Sequence, residues 1–82
     1  MFKEEIAITS LAEAKNFVNM TGKYMDLRIF LYNNNYKMDA HSIMGVISLD
    51  MSQPIYLEVE GNNIPPEFIE DLKPFVSAKE VK

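Results

Sequence analysis

Residues 25–32 alternate with a period of two: Met25, Leu27, Ile29 and Leu31 share one parity, Asp26, Arg28, Phe30 and Tyr32 the other. Successive side chains of a strand point to opposite faces, so this is the pattern of a strand with one face against a core. Asn33-Asn34-Asn35 follows, a turn signal because asparagine tolerates left-handed backbone. With Asn34 and Asn35 as the turn, Leu31 lies opposite Met38 and Tyr32 opposite Lys37. Residues 36–40 are then the return strand. An antiparallel hairpin stands in the middle of the chain, and the rest must pack around it.

The flanking segments supply the other elements. Residues 2–9 read as a strand with Ile6 and Ile8 inward. Ser10-Leu11-Ala12-Glu13 fits a capping box, in which serine and glutamate oxygens satisfy the free amides of a helix start. Leu11, Ala14, Phe17 and Val18 then form one helical face. Thr21-Gly22 ends that helix, the glycine tolerating positive φ. Residues 41–49 read as a short helix with Ser42 at or beside its N-terminus. Its Ile43, Val46, Ile47 and Leu49 cannot all face one core, so some apolar surface stays exposed. Ser52-Gln53-Pro54 leads to a last strand with Ile55, Leu57 and Val59 inward. Gly61-Asn62-Asn63 is a loop, and Asn63, Pro65 and Pro66 open a final helix, proline suiting a first turn. Phe68, Ile69, Leu72, Phe75 and Val76 are its buried stripe, and Pro74 forces a bend or end near Leu72. The order β-α-β-β-α-β-α gives a two-layer α+β domain with helices over one face of an antiparallel sheet. It fills residues 1–82 as a single domain, with neither repeat nor linker.

At 82 residues folding buries roughly 60–65% of the unfolded surface, so the core must be efficient. The composition allows one, with 48% hydrophobic residues, 3 Gly and 4 Pro. No cysteine is present, which removes disulfides, thiolate nucleophiles and cysteine zinc sites. The single histidine, His41, argues against a histidine metal centre and a Ser-His-Asp triad. Net charge is −4 from 8 basic and 12 acidic residues, and the basic ones do not cluster. Nucleic acid and anionic membranes are therefore not expected partners. No run approaches the ~20 apolar residues of a membrane span, and Met1-Phe2-Lys3-Glu4-Glu5 carries acid where a signal peptide carries base. A cytoplasmic protein is expected, without metal or cofactor. No acidic pair marks a catalytic pocket, so an independent enzyme is not expected.

The segment Asp39-Ala40-His41-Ser42-Ile43-Met44-Gly45-Val46-Ile47-Ser48-Leu49 resembles the Ala-Lys-Ser-Ile-Met-Gly-Val-Met-Ser-Leu stretch of the histidine-containing phosphocarrier protein (HPr) family of the bacterial sugar phosphotransferase system. Ile8-Thr9, Phe17-Val18 and Leu57-Glu58-Val59-Glu60-Gly61 extend the likeness along nearly the whole chain. The resemblance implies an open-faced β-sandwich, a four-stranded antiparallel sheet in the order 1-4-2-3 with three helices on one face. It also implies a link to sugar transport.

The family's active loop reads Gly-Leu-His-Ala-Arg-Pro-Ala, its histidine taking phosphate from enzyme I at the first helix's N-terminus. Here Ile8 runs through Thr9, Ser10 and Leu11 into Ala12-Glu13-Ala14. Phosphohistidine chemistry needs an imidazole nucleophile and donors for the phosphoryl oxygens; Ser10 and Glu13 offer neither. Carrier activity is expected to be absent, leaving a regulatory or docking role, or a structural or assembly module that keeps only the fold.

Ser42 resembles the family's regulatory serine, the target of the HPr serine kinase, and a phosphate there would gain from free amides and the helix dipole. The plainer role is a helix cap. His41 stands where the family usually has lysine; it is a candidate relocated phosphoryl acceptor or an ordinary surface residue. Ile43, Met44 and Ile47 match the surface by which family members dock enzyme I, IIA domains and a transcriptional regulator, or are ordinary core. Finally, strand parity and the family's strand order bring Phe30, Tyr32 and Tyr56 together on the helix-free face, with Arg28 and Glu58. That face is a candidate site for a partner or a second copy, or a set of cross-strand pairs that stabilise the sheet.

Overall fold

The computed structural model describes residues 2–33, 36–50, 52–61 and 63–76. Strand β1 (Phe2–Ile6) is followed by helix α1 (Leu11–Thr21) and a 3₁₀ turn, Gly22–Tyr24. The hairpin β2 (Ile29–Asn33) and β3 (Tyr36–Asp39) leads to α2 (Ile43–Ile47), β4 (Ile55–Val59), α3 (Pro66–Leu72) and a second 3₁₀ turn, Lys73–Phe75. The sheet runs β1-β4-β2-β3, antiparallel throughout. Leu31 pairs with Met38 and Tyr32 with Lys37, in the register that the alternating side chains require; the turn residues Asn34 and Asn35 lie outside the described ones. The four strands and three α-helices form the expected open-faced sandwich.

Alternation fills the layer between sheet and helices. Ile6, Ile29, Leu31, Ile55, Leu57 and Val59 are buried from the sheet; Ala14, Phe17, Val46, Phe68 and Leu72 meet them from the helices. Edge-to-face ring contacts join Phe17 to Phe75 and Phe68 to both Tyr24 and Phe2. Pro66 opens α3, and Pro74 turns the chain into 3₁₀ geometry just after Leu72. Gly61, at φ 99°, holds the left-handed conformation in the loop before α3 that disfavours residues with a Cβ.

Several elements differ from the sequence reading. Strand β1 stops at Ile6, although Ile8 remains buried, because the Ala7 amide leaves the sheet and donates to the Phe75 carbonyl. Leu11 is 55% exposed rather than core, and the buried face of α1 begins at Ala14 and Phe17. Gly22 has φ −62°, not a positive value: the helix tightens into 3₁₀ instead of reversing. That continuation buries Tyr24 against Phe68, and Leu27 N–H closes onto the Tyr24 carbonyl. The strand expected over residues 25–32 therefore begins at Ile29, and Met25 is exposed. Asn33, read as a turn residue, is the buried last residue of β2. The return strand ends at Asp39, and α2 is shorter than residues 41–49.

Candidate functional site

The start of α1 is the first place to look for phosphoryl chemistry. Ser10 is the N-cap, and its Oγ accepts from the Glu13 amide at 3.1 Å. Glu13 turns back, its Oε1 accepting from the Thr9 amide at 2.7 Å and the Thr9 hydroxyl at 2.9 Å. The expected capping box forms, shifted so that the carboxylate reaches Thr9 rather than Ser10. A fixed carboxylate thus sits at the donor end of the helix, where an incoming phosphoryl group would need those donors and would meet like charge.

The start of α2 is arranged differently. Ser42 is exposed, and its Oγ accepts from the Gly45 amide at 3.2 Å, so the serine caps the helix. Beside it, the side chain of His41 is only 12% exposed, which corrects its reading as a plain surface residue. Its Nδ1 is 2.8 Å from Asp39 Oδ1 and its Nε2 3.1 Å from the Tyr24 carbonyl. Asp39 Oδ1 also accepts from the His41 amide at 2.8 Å. These bonds, the backbone one first, hold the Asp39 carboxyl below its usual range. A neutral imidazole can donate to one of its two acceptors at a time, and neither nitrogen is turned to solvent as a nucleophile. The Asp39-x-His41 spacing was the signal for this clamp, an Asx-type turn closing on the residue two ahead.

On α2 itself Val46 is buried, Ile43 and Ile47 are half-buried against the core, and Met44 is 70% exposed. Ser42 and Met44 thus lie in the open at the start of one short helix. Among the described residues no three of His, Asp and Glu converge as metal ligands would. No described helix is long and apolar enough to cross a membrane.

The helix-free face carries Phe30, Tyr32 and Tyr56, with Tyr32 and Tyr56 directly paired across β2 and β4. Lys37 covers part of it, its Nζ 4.6 Å from the centre of the Phe30 ring and 5.4 Å from that of Tyr32. Phe30 and Tyr32 are consequently half-buried, and Tyr56 is exposed. Glu58, on the same face, is buried. As an acceptor for the Tyr32 hydroxyl it raises that group's pKa, with burial adding to the shift and Lys37 opposing it. Parity identified this face, but not that a glutamate would be enclosed there, because the covering atoms come from neighbouring strands.

No family model matches the chain, and no curated protein does. Among solved structures, the crystal structure of HPr-C-His from Thermoanaerobacter tengcongensis matches with a TM-score of 0.73 and 29% identity, over 100% of this chain and 98% of that one. The chain has the HPr fold. The sheet order, the three helices and the element order accord with an HPr-like frame along the whole chain. Within that frame, the start of α1 carries Thr9, Ser10 and Glu13, while Ser42 heads α2.

Proposed function

We propose that this HPr-like protein is a regulatory docking protein that works through the Ser42 helix and carries no phosphohistidine. The observation behind this reading is the start of α1, where Ser10 takes the Glu13 amide, the Glu13 carboxylate is fixed on Thr9, and no imidazole is present. The exposed Ser42 hydroxyl, with Met44 at the surface and Ile43 and Ile47 flanking it, is the counterpart at α2. Its partners in this reading are the HPr serine kinase, which phosphorylates Ser42, and a transcriptional regulator that docks on Ile43, Met44 and Ile47. The protein then works in the bacterial cytoplasm. His41 holds the junction before α2; to accept phosphate it would have to leave both Asp39 and Tyr24.

The test is to incubate the protein with enzyme I and phosphoenolpyruvate, and separately with the HPr serine kinase and ATP, and to weigh the products. The expected result is one added phosphate from the kinase, absent in Ser42→Ala, and none from enzyme I. An acid-labile, alkali-stable phosphate from enzyme I overturns the non-carrier reading, and its mapping to His41 would make that residue the acceptor. No label from either enzyme favours the assembly module, for which the buried Glu58 of the helix-free face speaks.

A further inference from the structure

Two outer-face residues of β4, two positions apart, are opposite in kind. Glu58 is 5% exposed; the Tyr32 hydroxyl donates to its carboxylate, yet its Oε1 is buried without a hydrogen-bond partner. An enclosed carboxylate oxygen with no donor is costly, and native structures rarely keep one. Its cross-strand neighbours are Lys3 and Phe30, and neither lysine of this face forms an ion pair with it among the described residues. Tyr56 is 48% exposed, a ring and a hydroxyl donor in the open. Beside them lies a hollow of about 550 Å³ lined by Lys3, Tyr32, Tyr56 and Leu57.

We propose that the helix-free face pairs with the same face of a second copy of this chain, the Tyr56 hydroxyl of each copy donating to Glu58 Oε1 of the other. Side chains two apart on a strand share a face, so a two-fold axis passing between Tyr56 and Glu58 makes both bonds at once, as an isologous interface requires. Each Tyr56 ring enters the other copy's hollow, and Lys3, exposed at the rim of that hollow, moves aside to open the way to Glu58. Charge on the face favours a second copy over a partner of one sign: Lys3 and Lys37 lie among Glu5, Asp39 and Glu58, a mixture complementary to itself. Four strands ~4.8 Å apart and about 17 Å long give a footprint of about 300 Å² per copy. A stable interface buries about 800 Å² per partner, so the dimer is weak and forms at high concentration. The contact lies on the side of the sheet away from α2 and does not depend on the function of the Ser42 helix.

Sedimentation equilibrium from about 10 μM to about 1 mM, the range of weak association, tests it. Wild type should show a monomer–dimer equilibrium. Tyr56→Phe, which keeps the ring and removes the donor, loses both symmetry-related bonds and should weaken it about a hundredfold, as expected for two bonds to charged acceptors. Tyr56→Thr should abolish it, with melting curves confirming that both variants fold, while Met44→Ser on α2 should leave it unchanged. A wild type that stays monomeric at the upper concentration overturns the proposal. So does a dimer indifferent to Tyr56→Phe, or one lost in Met44→Ser.

Discussion

At the scale of single residues, two buried polar side chains do work disproportionate to their size. The Asn33 amide donates to the Asp50 carbonyl at 3.1 Å and the Pro54 carbonyl at 3.2 Å, while its Oδ1 accepts from the Asp50 amide. One side chain thereby ties the end of β2 to both flanks of the loop before β4. Asn33→Ala strands those groups and should cost about 1–3 kcal/mol in urea unfolding, the penalty for a buried group left unpaired. Thr21 plays the same part for α1, its hydroxyl reaching the Val18 carbonyl at 3.1 Å and the Ala40 carbonyl at 3.0 Å. Thr21→Val, matched in shape, should cost about 1 kcal/mol by the same measurement. Neither role was legible in the sequence. Asparagine and threonine both sat where local rules assign turns and helix ends, and their partners come from 17 to 21 residues away.

Elements show the converse. Alternation along residues 29–32 and 55–59, the serines that cap α1 and α2 and the prolines around α3 are local signals, and the structure follows them. Ser10→Ala should therefore destabilise the protein by about 1 kcal/mol, the usual effect of losing an N-cap. Ser42→Asp keeps a capping oxygen and adds charge that suits a helix start, so its melting temperature should equal or exceed that of wild type. A clear fall would mean that the serine hydroxyl itself is needed at this cap. Local reading failed where two tendencies competed. Residues 25–28 continue the alternation of β2, yet Tyr24 is drawn the other way, its ring against Phe68 and its hydroxyl 2.7 Å from Asp71. The tertiary contact wins, and the strand loses its first half. The site divides likewise: Ser42 and the non-histidine start of α1 could be read from the chain, whereas the Asp39–His41–Tyr24 clamp and the enclosure of Glu58 needed the third dimension.

For the molecule as a whole, the paired carboxyls set the response to acid. Asp39 is held low chiefly by the His41 amide, Asp50 by Ser52 and Asp71 by Lys23 and then Tyr24, each below an ordinary 3.8. A depressed folded value means stability that is complete above the unfolded value and lost as pH falls through the folded one. Melting temperature should thus fall as the pH drops below about 4, and Asp71→Asn should flatten part of that slope. The alkaline limb has the opposite sign. Hydrogen bonding to Asp71, with burial, pushes the Tyr24 hydroxyl from 10.0 up to about 12, and Glu58 raises Tyr32 in the same direction. Their contribution is intact below pH 10.0 and fades above it. Tyr24→Phe should remove the larger part of that high-pH decline, read from melts taken on either side of it.

The turn made by Pro74 has a consequence for the life of the protein in a crowded cell. Strand β1 is an outer strand, and an outer strand with free amides is a template on which foreign chains can assemble into fibrils. Beyond Pro74 the Phe75 carbonyl accepts from the Ala7 amide at 2.7 Å, and Val76 bridges Ile6. The tail of the described chain thus lies along the apolar end of that edge, while Lys3, Glu4 and Glu5 guard the rest with charge. A proline that ends a helix serves as well to keep the sheet from growing. A chain cut after Leu72 should consequently bind thioflavin T and form fibres under conditions in which the intact protein stays clear.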